Sequence, residues 1–365
     1  MTDFKESSEN PCYSSLNKSK VPKICFVTHR PTGVEQSRFI SSLSKVSAIR
    51  IIKPWFYTDH SVYLTSLNRN AKTLIAFTSL ILQTMPTQNP IFLDGIDVLV
   101  FPCLAKKVIL EFSTPLHIEM EWLGYKTLYK LAHRMLNLII KRSMLVICAN
   151  QVLREYSIDA GAKQTCIIPN YPKKDFRATV NAETWREIHG IPFDSEVAIF
   201  VSGGRMREIY GLDLLLQSWK LVEKGKENAM LIIIGPAPFE WLRHHVRRLG
   251  LKCVNAVGVQ NHETIPDWIN ASDVCLAPRT PGFPSDWYND KDSTKISEYA
   301  ALEKPIVAAG YLPSSQYLLV DRTPRALAEG ILRAFDGKVR PAEPRFWEEN
   351  EDKLLKAISY AITEK

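Results

Sequence analysis

The stretch DKDSTKISEYAALEKPIVA, residues 290–308, decides how this chain is read. A polar loop (Asp290–Thr294) opens a short helix over Lys295–Leu302, and a turn leads into the apolar strand Pro305–Ala309. A loop opening a helix at the carboxyl edge of a parallel sheet is where α/β folds hold phosphates, because the first helical N–H groups have no partner within the helix. Lys295 adds a positive charge there. Glu298 stands one turn further on, placed to accept hydrogen bonds from sugar hydroxyls. A phosphate end and a hydroxyl end one turn apart point to a bound nucleotide or nucleotide sugar.

Outward from that stretch, strand-like and helical patterns alternate in two runs. The first has strands at Lys23–Thr28, Ala48–Ile52, Val98–Phe101, Val108–Phe112, Leu145–Ala149 and Thr165–Ile168, with helices at Val34–Lys45 and Gly124–Arg142. Ile167–Lys174 (IIPNYPKK) has the composition of a linker. The second run places strands at Val197–Ser202, Ala229–Gly235, Val254–Val257 and Val274–Ala277, separated by helices at Leu212–Glu223, Phe239–Leu249 and Ile265–Ala271. Apolar strands alternating with helices predict an α/β protein of two doubly wound parallel sheets. The expected division is a disordered tail over 1–20, a first domain over 21–173, a second over 174–345, and a closing helix over 346–365. Neither run carries G-x-G-x-x-G between a strand and a helix, which disfavours a dinucleotide oxidoreductase.

Composition agrees. At 365 residues the chain exceeds what one core supports, and 45% hydrophobic with 23% charged residues is ordinary for a globular protein. Seven cysteines form an odd set, and Cys25, Cys148 and Cys275 sit within apolar runs as small buried hydrophobes. Together with a polar first twenty residues, this predicts a cytoplasmic protein, peripheral at most. Apolar runs such as Thr73–Thr84 are too short to span a bilayer. The net charge of +7 is unevenly placed. Residues 1–175 hold 22 Lys and Arg against 13 Asp and Glu, while the remainder holds 24 against 26. A basic first half suits an anionic acceptor, a lipid surface or nucleic acid, or is a solvated surface.

The second half carries an ordered set of landmarks. GGRMREIYG (Gly203–Gly211) follows a strand, with glycines that let backbone approach a ligand and with Arg205 and Arg207 in reach of diphosphate oxygens. A strand ending at Gly235, the segment Val257–Val259, SDVCLAP (Ser272–Pro278), Lys295–Tyr299 and EKPIVA (Glu303–Ala308) follow in turn. In this order the chain resembles the retaining nucleotide-sugar glycosyltransferases of the GT-B fold, glycosyltransferase family 4, also called glycosyl transferases group 1. The resemblance runs from about Lys23 to the C-terminus and is strongest over Val197–Ala309.

The resemblance implies a site. Glu298 would bind the ribose, and Asp290, eight residues earlier in place of the usual glutamate, would contact the donor sugar. Amides around Ser293 and Thr294 would hold diphosphate, with Gly204 and Gly33 allowing close approach. Arg205 and Lys295 would neutralise the leaving group, and the base would sit near Val257 and Val259. Three departures stand out. Tyr210 occupies the place of the family's second diphosphate lysine, so Lys295 acts more nearly alone or Arg207 substitutes. Val108–Pro115 lacks the family's histidine, although His117 lies close by. Glu303-Lys304-Pro305 replaces G-K-P, losing a turn glycine.

Asp290-Lys291-Asp292 looks like a D-x-D metal signature but does not follow a strand, and His244-His245 lies on a basic helix without a carboxylate or cysteine spaced as a co-ligand. No metal and no cofactor beyond the nucleotide-sugar substrate is expected. Around 122–142, Trp122, Tyr125 and Tyr129 interleave with Lys126, Lys130 and Arg134. Such a face fits an anionic membrane surface or lipid-linked acceptor, or packs its apolar side on the sheet. The alternatives to a transferase are a non-catalytic nucleotide-binding relative and a membrane- or nucleic-acid-binding scaffold.

Overall fold

The computed structural model describes residues 24–27, 34–45, 47–52, 90–93, 107–125, 128–203 and 206–363. The strand expected at Val98–Phe101 and the site candidates Gly33, Lys126, Gly204 and Arg205 lie outside the described residues.

The first sheet is built from β1 (Ile24–Val27), α1 (Val34–Ser44), β2 (Ile49–Ile52), β3 (Ile91–Leu93), β4 (Val108–Phe112), α2 (Leu116–Trp122), α3 (Leu128–Arg142), β5 (Leu145–Cys148), α4 (Gln151–Asp159) and β6 (Thr165–Ile167). Its described strands are all parallel, in the order β2-β1-β3-β4-β5-β6. The second unit comprises α5 (Ala182–Ile188), β7 (Glu196–Val201), α6 (Leu212–Gly225), β8 (Ala229–Ile234), α7 (Phe239–Leu249), β9 (Val254–Gly258), α8 (Ile265–Asn270), β10 (Val274–Pro278), α9 (Thr294–Ala301), β11 (Ile306–Ala309), β12 (Leu318–Val320) and α10 (Pro324–Phe335). Its parallel order is β12-β11-β10-β7-β8-β9. The chain direction across the sheet therefore reverses between β7 and β10, and ligands of open α/β sheets bind at such a switch, beyond the strand carboxyl ends.

Strand period explains the two cores. In β7, Ala198 and Phe200 face one apolar cluster while Val197 and Ile199 face the other. Leu231 and Ile233 alternate with Ile232 and Ile234 in β8 in the same way. A strand covered on both faces reads as a continuous apolar run, which is why these strands were legible. β3 and β12, each three residues long, were not expected from the sequence.

The last helix, α11 (Glu348–Thr363), leaves the second sheet and packs on the first. Leu354, Leu355, Ile358 and Ala361 join the cluster of Ile24, Phe26 and Leu43. Trp347 anchors the crossing by donating from Nε1 to Ser42 Oγ at 2.8 Å. The two chain crossovers also bond to each other, Trp347 N to Pro172 O at 2.8 Å and Arg345 Nη1 to Tyr171 Oη at 3.2 Å.

Two local features differ from sequence expectation. The helix expected over Gly124–Arg142 begins at Leu128 and is preceded by the separate helix α2, which ends before it because Gly124 takes a left-handed φ of 82° and the N–H groups of Gly124 and Tyr125 close the end of α2 on Glu121 and Met120. Trp122 thereby leaves the basic helix and reaches the second domain, donating to Glu208 O at 2.7 Å and meeting Phe283 edge-on. The other feature is Glu303, where the lost turn glycine has not changed the backbone. Its φ is 54°, the conformation a glycine takes without steric cost. Its side chain is exposed, so nothing offsets the strain through burial. Glu303→Gly is expected to raise stability by about 1 kcal/mol in denaturant unfolding; an unchanged or lower midpoint would contradict this account of the turn.

Candidate active site

α9 opens at the carboxyl edge of the second sheet. Ser293 precedes it, and no side chain caps the helix start. The helix begins at Thr294, one residue before the expected Lys295. Glu298, only 5% exposed, lies one turn inside. Its Oε1 is 2.7 Å from His262 Nε2, on the short 3-10 turn His262–Thr264 that follows β9. This bond raises the imidazole above its ordinary value, against the burial that lowers it. Sequence reasoning missed His262, because a lone histidine after a strand carries no pattern.

Lys295 is the other active end of α9. Its Nζ is buried and has no hydrogen-bond partner among the described residues. It rests instead on aromatic faces, 3.9 Å from the ring centre of Tyr210 and 4.8 Å from that of Phe200. Burial, with the nearby charge of Arg279, pushes this ammonium well below the ordinary lysine value.

Arg279, also missed, follows directly on β10 and is 3% exposed. Its guanidinium carbon lies 3.7 Å from the ring centre of Tyr288, 4.6 Å from Tyr311, 5.1 Å from Phe283 and 5.6 Å from Tyr210. A residue at the end of a central strand beside the switch point occupies a ligand position in this topology, the one signal that could have marked it. Gly211 lets the helix start of α6 approach here: it has a φ of 62°, and a Cβ on it would come 2.9 Å from the Arg279 backbone.

The other candidates scatter. Arg207 lays its guanidinium over Trp241 at 4.1 Å and pairs with Asp213 at 3.5 Å. Asp290, 7% exposed, lines a small crevice with Tyr171, Ser297, Gln316 and Arg345, and its carbonyl accepts from Ser297 Oγ at 2.9 Å. Val257 is half-buried, Val259 is 72% exposed, and the exposed Phe239 lies against Gly258 between them. The carbonyl of Gly258 accepts from Gly235 N at 2.8 Å, so the loops after β8 and β9 form one edge. A cavity of about 500 Å³ is lined by Tyr311 and by residues of β12 and α10, and no residue of α9 lines it.

Several polar contacts hold the first domain against this region, those of Asn150 and the Tyr288–Glu119 bond among them. Asn150 caps α4 through its side-chain oxygen and donates from Nδ2 to Trp287 O at 2.9 Å and Asp292 Oδ1 at 3.0 Å. Burial lifts the Asp292 carboxyl to about 7. His117 is buried too, stacked on His133 at 4.9 Å and Tyr156 at 5.4 Å with Trp287 edge-on at 5.6 Å. Burial and the neighbouring His133 lower it to about 4, so it is neutral at physiological pH. Lys130 and Arg134 are exposed on α3. Among the described residues no group of three or more His, Cys, Asp or Glu side chains gathers as metal ligands, and no helix is long and apolar enough to cross a membrane.

The architecture is the two-domain GT-B fold of glycosyltransferases. Residues 197–336, from β7 through α10, match the family described as Glycosyl transferases group 1. Among solved structures the chain is similar to sucrose-phosphate synthase from Thermosynechococcus elongatus, with 13% identity and a TM-score of 0.68 over 94% of this chain and 99% of that one. It is similar to Anabaena HepE in complex with UDP and glucose (15%, 0.64, 93% and 100%) and to WaaG, a glycosyltransferase involved in lipopolysaccharide biosynthesis (12%, 0.63, 94% and 96%). Against curated protein sequences it has no significant match. Identities this low establish the fold and not the chemistry.

The His262–Glu298 pair has a definite pH signature. A histidine raised in the folded state contributes stability that is fully present below its unfolded value of 6.5 and is lost as pH rises through the folded value. The stability difference between wild type and His262→Gln is therefore expected to be largest below pH 6.5 and to shrink above it, read by thermal unfolding across pH. A difference that does not vary with pH would remove the ion pair from this account.

Proposed function

We propose that the protein moves a sugar from a nucleotide diphosphate sugar, held by the second domain, to an acceptor held by the first, with retention of configuration and without a metal ion. The observation that carries this reading is the first turn of α9, where a buried amine with no hydrogen-bond partner among the described residues and a buried carboxylate stand one turn apart at the carboxyl edge of the sheet. Lys295 and the uncapped helix start receive the diphosphate, and Glu298 receives the ribose hydroxyls. The base lies along Val257–Val259, with Phe239 offering an exposed apolar face. The HepE structures with UDP and with UDP-glucose support uridine as that base.

In the transfer, the acceptor hydroxyl oxygen bonds to the anomeric carbon as the bond from that carbon to the diphosphate oxygen breaks. The departing diphosphate takes the hydroxyl proton and its charge is held by the cations and helix dipole, the preorganised electrostatic term that dominates such reactions. Contact between the domains through Asn150, Trp122 and Trp287 excludes water and so limits hydrolysis. The acceptor is an anionic or lipid-linked glycan, a reading supported by the exposed Lys130, Arg134, Lys141 and Arg142 on α3 and by the likeness to WaaG. The protein works in the cytoplasm, in peripheral contact with the inner face of the membrane.

Thermal unfolding against a panel of nucleotide diphosphate sugars tests this. A donor at about 100 times its dissociation constant is expected to stabilise by roughly 2.7 kcal/mol, and Glu298→Ala to abolish that shift. Absence of any shift from a folded sample would sink the transferase reading. A shift without turnover on any acceptor glycan would favour a non-catalytic nucleotide-binding relative.

A further inference from the structure

Four buried side-chain atoms near one another lack a hydrogen-bond partner among the described residues: Lys295 Nζ, Arg279 Nε, Arg279 Nη1 and Tyr311 Oη. All four can donate. Native interiors leave few polar groups unpaired, and a cluster of donors without an acceptor calls for a ligand that supplies one. Two of the residues are basic, and among the described residues no carboxylate is bonded to either side chain. The nearby carboxyls are already engaged, since Glu298 bonds His262, Asp292 bonds Asn150, and Glu119 accepts from Tyr288 at 3.1 Å. What remains in contact with the two cations is aromatic. Tyr210 lies against both, while Phe283, Tyr288 and Tyr311 enclose the guanidinium.

Aromatic faces hold a cation at about 0.5–2 kcal/mol each without consuming its N–H donors. An arginine packed this way is fixed in place and keeps its hydrogen-bonding capacity. That is what an anion site requires, and it differs from a structural ion pair, which spends the donors on a carboxylate.

We propose that Arg279, with Lys295 and the Tyr311 hydroxyl, forms the closed end of the anion site and binds the donor's diphosphate. Arg279 thus supplies from the end of β10 the second positive charge that Tyr210 does not. The other arginine in reach by sequence, Arg207, is committed to Trp241 and Asp213. Tyr210 then has a positive role, because its ring lies against both cations and spaces them where a lysine at the same place would repel them. This inference deepens the proposed transferase reading and rests on it for the identity of the anion.

The test uses inorganic pyrophosphate, which carries the charge of the ligand but neither base nor sugar, titrated calorimetrically into the full chain. Arg279→Gln is expected to weaken pyrophosphate binding by about ten- to a hundredfold, the effect of losing hydrogen bonds to a charged group. Tyr210→Lys in the Arg279→Gln background is expected to recover most of that loss by returning a charge to the site. Tyr311→Phe removes one oxygen and keeps the cage, so it folds even where Arg279→Gln does not, and is expected to weaken binding about five- to tenfold. Pyrophosphate binding that is absent in wild type, or within twofold of wild type in both Arg279→Gln and Tyr311→Phe, overturns the assignment. If nucleotide sugars still stabilise the protein in that case, the transferase reading stands and this site alone is wrong. If pyrophosphate binding responds as expected but no nucleotide sugar stabilises, the reverse holds.

Discussion

A parallel strand covered on both faces has no length of surface on which a polar side chain can be solvated. Every strand of the second sheet's centre obeys this: β7, β8, β10 and β11 give alternate residues to two apolar clusters. Polar chemistry is thereby forced to the strand ends, and the topological switch between β7 and β10 decides which end opens a crevice. Lys295, Glu298, Arg279 and the turn bearing His262 all lie at or follow these ends. The site is a consequence of how the sheet is covered.

Charge at that edge is handled in two ways. Glu298 is paired with His262, so its buried carboxylate has a partner whose own protonation is favoured by the contact. Among the described residues, Lys295 and Arg279 have no carboxylate bonded to them and are held by rings. Burying an unpaired ammonium is costly, and the lowered proton affinity of Lys295 is how that cost is expressed in the folded protein. An incoming anion reverses it, because a negative charge beside the amine favours the protonated form. Binding and protonation at Lys295 are thus coupled by the same burial.

The domains are joined by few but directional contacts. Asn150 and Trp122 reach from the first domain to backbone or carboxylate groups of the second, and α11 returns to complete the first core. The histidine stack of His117 and His133 closes against Trp287, a residue of the loop that also carries Asp290 and Asp292. Asp292, raised to about 7 by burial, sits at the joint itself.

How much was legible follows from the range of each interaction. The apolar runs of β4, β7 and β8, the helix at Phe239–Leu249 and the loop–helix at 290–302 are local patterns, and the sequence alone determined them together with the α/β class. Gly124 also stood in the sequence, but whether a glycine bends a helix or ends it depends on its φ, which the surroundings set. The pairing of His262 with Glu298 spans 36 residues, and Asn150 meets Asp292 across 142. Arg279 reads in sequence as one arginine after a strand. Only folding encloses it with Tyr210, Phe283, Tyr288 and Tyr311, because those rings come from three separate loops and their convergence is a property of sheet order.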